Sequence, residues 1–275
     1  MRQVIVYPGT AGSFSHAAAL AAFPEGDCVG YDTFAEAAQV VLDGQADYAL
    51  LPVENSTAGA VIQTYSLLEK LPLHIVGEVM KPVRHQLLGV PGATMDDIRR
   101  IDSHPQAIAQ CDVFLQGLPN VRIVPSGNTA ISAREVAESG DVTRAAIASL
   151  EAAKEYGLTV LAENIQTSDT NTTRFVILSK HAVPLGTPDK ASIIFTVNNE
   201  IGALAKVLTT FAEYGLNMSR IESRPLPGTT FVYFFLADFE GEMDAAHLSR
   251  AMAQARLHVG ELRLLGVYPR AKRPS

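Results

Sequence analysis

Three segments of the chain combine glycine, hydroxyl and amide side chains at points where a predicted strand ends and a predicted helix begins. Free backbone N–H groups and the helix dipole at such a junction bind anions without help from Lys or Arg. Three junctions in one cleft would suit a small substrate that has more than one carboxylate. Taken singly, each junction is also explained by helix capping, for which Ser, Thr and Asn are preferred. The segments are 9–15 (GTAGSFS), 52–59 (PVENSTAG) and 103–106 (SHPQ).

A fourth segment, 171–175 (NTTRF), stands at the start of a predicted strand and places a hydroxyl beside a guanidinium. Arg is suited to bidentate contact with a carboxylate, and Thr173 adds a hydroxyl next to Arg174. The alternative interpretation is a polar loop that leads into the strand, with Arg174 in solvent.

The sequence lacks the common motifs for nucleotides, metals and hydrolases. It contains no G-x-G-x-x-G, no G-x-x-x-x-G-K-[ST] and no G-x-S-x-G. No two histidines have the H-x₃-H spacing of a zinc site, and Cys28 and Cys111 cannot form a disulfide framework. We therefore expect no cofactor and no metal.

The charge balance and the apolar segments limit the partners. Asp and Glu number 29 against 22 Lys and Arg, so the net charge is −7, which argues against general nucleic-acid binding. No apolar run approaches the roughly 18 residues of a membrane helix. The apolar stretch at 4–7 is too short for a signal peptide. We expect a cytoplasmic protein with neither a membrane nor a nucleic-acid partner.

The elements that must position these segments alternate between strands and helices over the first 180 or so residues, which predicts two α/β lobes with a cleft between them. Strands are predicted at 4–7, 48–53, around 102, and at 121–125, 145–148, 159–162 and 173–179, with two extended stretches between 73 and 90. Helices are predicted at 15–23, 33–43 and 61–71, and from 105 and 129 onwards.

A domain boundary is predicted near residues 181–190, where two prolines and a glycine favour an exposed linker. Beyond it, strands at 191–197, 216–224, 229–239 and 261–268 and helices at 202–214 and 244–256 follow one another in the order βαββαβ. This order predicts a ferredoxin-like unit of about 80 residues.

The segments together resemble the prephenate dehydratase family, in its bacterial monofunctional form with a C-terminal ACT regulatory domain. The resemblance extends over essentially the whole chain. Three departures are Thr10, where the family usually has Pro, Ser13, where it has Thr, and Thr167, where Asp is frequent. The matching segments are 9–15 (family G-P-x-G-T-F-S), 52–59 (P-x-E-N-S-x-x-G), 103–111 (S-H-P-Q-A-L-x-Q-C), 171–175 (N-x-T-R-F), 202–204 (G-A-L) and 222–225 (E-S-R-P).

The resemblance implies a fold and an activity. The fold would be a two-lobed, periplasmic-binding-protein-like catalytic domain at 1–182, with lobes of about 1–80 plus 165–182 and of 81–164, followed by a ferredoxin-like ACT domain at 190–270. The activity would be that of a lyase of L-phenylalanine biosynthesis, which converts prephenate to phenylpyruvate with loss of carbon dioxide and water. L-Phenylalanine would be the allosteric effector, the protein would be a homodimer or homotetramer, and no cofactor would be needed.

The resemblance also implies roles for individual residues. Thr173 would be catalytic, because its hydroxyl can hydrogen-bond the leaving C4 hydroxyl of prephenate. His104 could be a general acid or a helix cap, and Glu54 could fix its loop. The implied substrate-binding residues are Gly12, Ser13, Ser15, Asn55, Ser56, Ser103, His104, Gln106, Asn171, Arg174 and Phe175. The implied residues for L-phenylalanine are Gly202, Ala203, Leu204, Asn217, Glu222 and Ser223.

Two alternatives remain open at the level of sequence. An arogenate dehydratase would perform the same chemistry on the amino-acid analogue of prephenate. A non-catalytic amino-acid sensor would use the same two lobes and the ACT unit to bind a ligand without reaction.

Overall fold

The computed structural model describes residues 2–197, 200–226, 228–230 and 232–272. The strands are β1 (Val4–Pro8), β2 (Asp27–Tyr31), β3 (Tyr48–Asn55), β4 (Gly59–Ala60), β5 (His74–Pro82), β6 (Gln86–Gly89), β7 (Arg100–Ser103), β8 (Arg122–Pro125), β9 (Arg144–Ala148), β10 (Thr159–Ala162), β11 (Thr172–Ser179), β12 (Lys190–Thr196), β13 (Asn217–Pro225), β14 (Tyr233–Glu240) and β15 (Leu262–Tyr268). The helices are α1 (Phe14–Ala22), α2 (Phe34–Leu42), α3 (Ile62–Lys70), α4 (Pro105–Gln110), α5 (Asp112–Gln116), α6 (Thr129–Ser139), α7 (Leu150–Tyr156), α8 (Ala203–Glu213) and α9 (Ala245–Ala255).

The strands form three sheets. The first has the order β2-β1-β3-β11-β5, with β4 paired to β3, and the second has the order β10-β6-β9-β7-β8. Both contain parallel pairs, such as β1 with β3 and β7 with β9. The third sheet, β13-β14-β12-β15, is antiparallel and belongs to the segment ordered βαββαβ. The predicted α/β class and the ferredoxin-like unit are confirmed.

The described chain forms two compact units. The first comprises residues 2–64 and 80–175, and the second comprises residues 65–79 and 176–272. The first unit contains the whole second sheet, and the second unit contains the whole third sheet. The domain limits derived above from sequence remain a prediction.

The core of the first unit depends on apolar strands and on small residues in the helices that cover them. Strand β9 is buried from Ala145 to Ala148, and its alanines allow helices to approach the sheet closely. Ala133 and Val136 of α6 and Ala152 of α7 belong to the same buried cluster. This packing places the start of α7 at the carboxyl end of β9.

The second unit has its own core on one face of the third sheet. Helix α8 buries Ala203, Val207 and Phe211, which recur every four residues along one helix face. The Phe211 ring stacks on Phe239 of β14, with the ring centroids 4.2 Å apart. The helix predicted at 202–214 is therefore present as an amphipathic helix, α8, at Ala203–Glu213.

Residues 65–79 are tied to the third sheet by polar contacts inside the second unit. Lys190 Nζ lies 3.0 Å from Glu78 Oε2, and both side chains are buried. Arg263 donates to the backbone carbonyls of Leu68 and Glu69 near the end of α3. Cationic groups at a helix C-terminus satisfy its unpaired carbonyls and favour the helix dipole.

Several elements differ from the sequence prediction. The strand predicted at 229–239 begins at Tyr233, because residues 228–230 form a turn in which Gly228 has φ 78°. Phe231, inside that predicted strand, lies outside the described residues. Strand β2 and helix α7 have no counterpart in the prediction. β2 is a mostly exposed edge strand with little apolar signal, and α7 has seven residues, set by caps at Ser149 and Gly157.

Candidate active site

A cleft of about 410 Å³ opens within the first unit. Its lining brings together side chains from segments that are far apart in the sequence. Seven of the residues expected at the site line it, namely Ser13, Ser15, Asn55, His104, Gln106, Asn171 and Thr173. The polar lining residues that the sequence analysis did not include are His85, Gln110, Asn128 and Thr129. Phe14, Val61 and Val83 add apolar surface.

The first wall of the cleft is the turn that leads into α1. Gly9 and Gly12 have φ values of 106° and 77°, which favour glycine. Ser13 caps the helix, because its Oγ accepts from the backbone N–H of His16 at 3.2 Å. The carbonyl of Gly12 accepts from Ser149 Oγ at 2.6 Å, away from the cleft lining. Gly12 thus shapes the turn, while Ser13 and the helix start face the cleft.

The second wall differs from the predicted strand–turn–helix junction at 52–59. Strand β3 continues to Asn55, a tight turn leads into β4, and α3 follows at Ile62. The side-chain Oδ1 of Asn55 accepts from the N–H groups of Thr57 at 3.0 Å and Ala58 at 2.8 Å. This is an Asx-type turn, in which the amide oxygen satisfies backbone groups that a helix cap would otherwise satisfy. The helix predicted at 61–71 is present as α3, whereas the hairpin of β3 and β4 that precedes it was not predicted.

A third helix start in the cleft comes from α6. Asn128 caps α6 by accepting from the backbone N–H of Ala130 at 2.8 Å, and Asn128 and Thr129 both line the cleft. The helix from 129 was predicted, but its first residues were not expected at the site, although the Gly-Asn-Thr sequence before it is a capping signal.

The predicted junction at 103–106 is present. His104 is the N-cap of α4, with Pro105 at the first helical position, and His104 Nδ1 accepts from the backbone N–H of Gln106 at 3.2 Å. Ser103 is fully buried and donates to the carbonyl of Ile147 at 2.7 Å, so its hydroxyl is not part of the cleft lining.

Three hydrogen-bonded side-chain amides, which we call the amide network, line the cleft: Asn55, Asn171 and Gln110. Asn55 Nδ2 donates to Asn171 Oδ1 at 2.7 Å and also to Thr173 Oγ1 at 3.0 Å. Asn171 Nδ2 donates to Gln110 Oε1 at 2.9 Å, and the same oxygen lies 2.8 Å from Nε2 of His85. Thr173 and His85 therefore stand at opposite ends of one network.

His85 is held in a largely dry environment. Burial lowers the pKa of its ring below the ordinary value, and the hydrogen bond to Gln110 opposes this shift without reversing it. The ring of Phe14 meets it edge to face, with the centroids 5.5 Å apart. A lowered pKa keeps the imidazole neutral at physiological pH.

Other expected substrate-binding residues lie outside the cleft lining. Phe175 is 1% exposed, in the core of β11. Arg174 is buried, with Nη1 3.6 Å from Glu54 Oε2. Ser56 donates to the carbonyl of Thr170 at 2.8 Å, which ties the turn after β3 to the segment before β11. Among the described residues that line the cleft there is no Lys or Arg, so backbone N–H groups, hydroxyls and amides dominate its polar surface.

The expected effector residues lie in the second unit. Gly202 precedes α8 with φ 78°, and none of the described side chains caps that helix with a hydrogen bond. On β13, Glu222 is paired with two guanidinium groups, at 2.8 Å from Arg224 and 3.7 Å from Arg220. The remaining expected residues are Ala203 and Leu204 in the first turn of α8, and Asn217 and Ser223 on β13.

Metal-binding clusters and membrane-spanning helices are both absent from the described residues. No group of three or more His, Cys, Asp or Glu side chains within 2–197, 200–226, 228–230 and 232–272 is arranged to hold a metal ion. In the same residues, none of the helices combines the length and apolarity needed to cross a membrane.

Comparisons with known proteins agree with this architecture. The family profile described as prephenate dehydratase matches residues 5–183, and the ACT domain profile matches residues 191–256. A chloroplastic arogenate dehydratase/prephenate dehydratase of Arabidopsis thaliana is 40% identical over 281 residues, which cover 96% of this chain and 71% of that protein. A bifunctional N-acyl-homoserine lactone acylase/prephenate dehydratase of Komagataeibacter europaeus is 38% identical, covering 97% of this chain and 96% of that protein.

A solved structure provides a third comparison. The crystal structure of prephenate dehydratase from Arthrobacter aurescens in complex with L-Phe is 34% identical to this chain and superposes with a TM-score of 0.88. The similarity covers 99% of this chain and 92% of that one, so it includes both described units.

Proposed function

This chain belongs to the prephenate dehydratase family and has an ACT domain, and from that premise we propose how its cleft converts prephenate to phenylpyruvate. In the balanced reaction, the prephenate dianion and one proton give the phenylpyruvate anion, carbon dioxide and water. The bond from the ring to its carboxylate breaks, and its electron pair enters the ring. The C4–O bond breaks with its pair on oxygen. Aromatisation drives the reaction, so the protein needs to orient the dianion and to stabilise the leaving oxygen.

The observation that carries the proposal is the direction of the hydrogen bonds at Thr173. Asn55 Oδ1 accepts two backbone N–H groups, so Nδ2 is the group that faces Thr173. Thr173 Oγ1 is therefore an acceptor towards Asn55, and its own hydrogen is available to donate into the cleft. We assign that hydrogen to the leaving C4 oxygen. A threonine is a weak acid, so its role is hydrogen-bond stabilisation, for which one donor contributes about 3 kcal/mol.

The two carboxylates need donors that are fixed before the substrate arrives. The starts of α1 and α6 face the cleft with Ser13, Ser15 and Thr129, and the amide of Gln106 stands beside them. Fixed dipoles bind an anion without reorganisation. This local attraction offsets the repulsion between an anionic substrate and a protein whose net charge is −7. We assign supporting roles behind the lining to Gly12, Ser56, Ser103, Arg174 and Phe175.

L-Phenylalanine is the proposed effector of the ACT domain. The similar structure from Arthrobacter aurescens was solved with L-Phe. The backbone at Gly202, Ala203 and Leu204 would approach the ligand carboxylate, and Asn217, Glu222 and Ser223 would address its amine and nearby backbone. Glu222 would then exchange contacts with Arg220 and Arg224 for contact with the ammonium group.

The assembly is proposed to be a homodimer or homotetramer in the cytoplasm. Strand β13 is an edge of the third sheet and could pair with the same strand of a second copy. Light scattering at micromolar concentration tests this assembly, and a monomer would contradict it.

The amino-acid analogue arogenate is the second candidate substrate. The Arabidopsis relative is named for both substrates, and the two differ by a keto group against an ammonium group. Both would place the same C4 hydroxyl at Thr173.

The acylase activity in the name of the Komagataeibacter relative is not part of the proposal. Acyl transfer by a serine or threonine needs a base on the hydroxyl. Ser13 Oγ accepts a backbone N–H, and Thr173 Oγ1 accepts from Asn55. In the described cleft, the hydrogen-bonded ring nitrogens of His85 and His104 are paired with Gln110 and with a backbone N–H, not with a hydroxyl.

Prephenate turnover by the wild type and two variants of Thr173 tests the proposal. Thr173→Ala removes the donor, and we expect kcat to fall about 100-fold or more, as for loss of one oxyanion donor. Thr173→Ser keeps the hydroxyl and is the matched control, with most of the activity retained. Circular dichroism and Tm should match the wild type for both. Near-normal turnover by Thr173→Ala would remove Thr173 from the mechanism.

A further inference from the structure

One buried polar atom, on a residue that lines the cleft, has no role in the mechanism above. His85 is 2% exposed and lines the cleft, and its Nδ1 has no hydrogen-bond partner in the described structure. Buried polar atoms are nearly always paired, so an orphan on a residue that lines a binding cleft points to a ligand group. The backbone of His85 is held on both sides. Its backbone N–H donates to Gln166 Oε1 at 2.9 Å, and its backbone carbonyl accepts from the N–H of Ile165 at 2.9 Å.

The amide network determines which nitrogen of His85 carries the proton. Backbone N–H groups can only donate, so Asn55 Oδ1 is fixed as the acceptor of Thr57 and Ala58. Asn55 Nδ2 then faces Asn171, which must present Oδ1 to it. The orientation of Asn55 and of Asn171 thus follows from two backbone groups.

The orientation of Asn171 in turn determines the orientation of Gln110 and the protonated nitrogen of His85. Asn171 presents Oδ1 to Asn55, so its Nδ2 donates to Gln110, which must present Oε1. Gln110 Oε1 can only accept, so Nε2 of His85 carries the hydrogen that completes the 2.8 Å contact. Burial lowers the pKa of the ring and so favours its neutral form. Nδ1 then has a lone pair that accepts from none of the described protein donors.

A lone pair of this kind discriminates between ligand groups. It repels carboxylate and keto oxygens, which are acceptors, and it attracts an N–H or O–H group. Prephenate with both carboxylates ionised has one donor, the C4 hydroxyl, which the proposed function places at Thr173. His85 stands at the other end of the network, so the group that it meets belongs to the opposite end of the substrate, at the side chain.

We propose that His85 is a specificity-determining residue, whose Nδ1 accepts an N–H from the side chain of an amino-acid substrate. The inference rests on the proposed function and extends it. The amino analogue of prephenate, arogenate, has an ammonium group where prephenate has a keto oxygen. Nδ1 forms a hydrogen bond with the former and has no favourable contact with the latter.

The test compares kcat/KM for arogenate and prephenate in the wild type and in His85→Phe, which keeps a ring and removes both nitrogens. We expect the arogenate-to-prephenate ratio to fall about tenfold or more, the size that loss of a buried hydrogen bond produces. His85→Gln, which retains an amide acceptor, should recover part of the ratio. His181→Phe, on an exposed histidine, is the matched control and should leave the ratio unchanged.

Each outcome decides one question. A wild type that converts neither substrate contradicts the proposed function. A wild type that converts prephenate alone, or a His85→Phe enzyme with an unchanged ratio or with equal losses on both substrates, overturns the inference and leaves the function standing.

A second measurement needs no substitution of His85 and therefore does not depend on whether the His85 variants fold. Nitrogen NMR of the wild type labelled in its histidines should contain one buried ring with an unprotonated Nδ1 and a proton on Nε2 at neutral pH. Gln110→Met, which removes the acceptor of that proton, should shift this ring alone. A protonated Nδ1 in the ring that responds to Gln110→Met would overturn the inference.

Discussion

At the scale of single residues, the chemistry depends on how side-chain amides are turned. The side-chain oxygen of Asn55 accepts hydrogen bonds from the backbone N–H groups of Thr57 and Ala58. Its NH₂ group therefore faces Thr173 and Asn171. The hydroxyl of Thr173 is thereby an acceptor on one side and a donor on the other. We therefore propose Asn55 as a positioning residue for Thr173, whereas the resemblance implied direct substrate binding.

Replacement of Asn55 by its isosteric acid tests this orientation. Asn55→Asp keeps the oxygen that closes the turn but removes the N–H that faces Thr173, so the Thr173 hydrogen should turn towards the new carboxylate. We expect kcat for prephenate to fall about 100-fold, as after loss of an oriented donor, with little change in Tm.

Asn128→Asp is the matched control for charge. Asn128 lines the same cleft and its Oδ1 caps α6, yet it has no bond to the amide network. This variant should raise KM through repulsion of the dianion and leave kcat close to the wild type. Equal kcat losses in the two variants would contradict the positioning role of Asn55.

At the scale of elements, the cleft is built from the ends of strands and the starts of helices in the first unit. The turn before α1 is held against α7: a Cβ on Gly12 would lie 2.8 Å from Ala152 Cα. Tyr156 of α7 also donates to the carbonyl of Ala11 at 2.7 Å. Helix α7, which has no residue in the cleft lining, therefore determines where Ser13 and the start of α1 stand.

Alanine substitutions at two glycines distinguish the stability cost of this close contact from the cost of a positive φ. Gly12 and Gly157 have φ values of 77° and 66°, but a Cβ on Gly157 would meet nothing within 4 Å. Gly157→Ala should cost about 1 kcal/mol of unfolding free energy, from the left-handed backbone alone. Gly12→Ala should cost about 1–3 kcal/mol more, because backbone must move, and should raise KM. Urea denaturation measures both, and equal costs would show that the contact with α7 is unimportant.

At the scale of the whole molecule, one chain combines a catalytic cleft with an ACT domain, for which L-phenylalanine is the proposed effector. The global charge of −7 does not attract an anionic substrate, so affinity comes from local dipoles in the cleft. The second unit includes residues 65–79, and α3 runs from Ile62 in the first unit to Lys70 in the second. Helix α3 therefore begins directly after the cleft residue Val61. Near its other end, the carbonyl of Glu69 accepts a hydrogen bond from Arg263.

Regulation by L-phenylalanine must be reciprocal if it acts on substrate binding. Whatever factor L-phenylalanine applies to the Kd of prephenate, prephenate must apply to the Kd of L-phenylalanine. Calorimetric titrations on Thr173→Ala, where turnover is slow, measure both equilibrium constants. We expect equal factors of about 5-fold to 150-fold, the usual range of such coupling.

Glu222→Gln is the control for the effector site. It should weaken L-phenylalanine and leave the affinity for prephenate alone unchanged. An L-phenylalanine titration without any effect on the Kd of prephenate would restrict its action to the catalytic step.

Local sequence signals were sufficient for part of the fold and of the cleft. Ser13 before α1, His104-Pro105 before α4 and the four-residue spacing of Val207 and Phe211 in α8 all act within one or two helical turns, so they can be recognised in the chain alone. The order of elements in the C-terminal unit follows from such signals, and so does the presence of Thr173 on a strand.

The remaining features depend on contacts between distant parts of the chain. Asn55 meets Asn171 and Thr173 across 116 and 118 residues, and His85 meets Gln110 across 25. Neither the choice of a hairpin turn over a helix cap at Asn55 nor the unpartnered Nδ1 of His85 can be deduced from spacing. Each depends on which donors the folded chain brings within about 3 Å, the reach of a hydrogen bond.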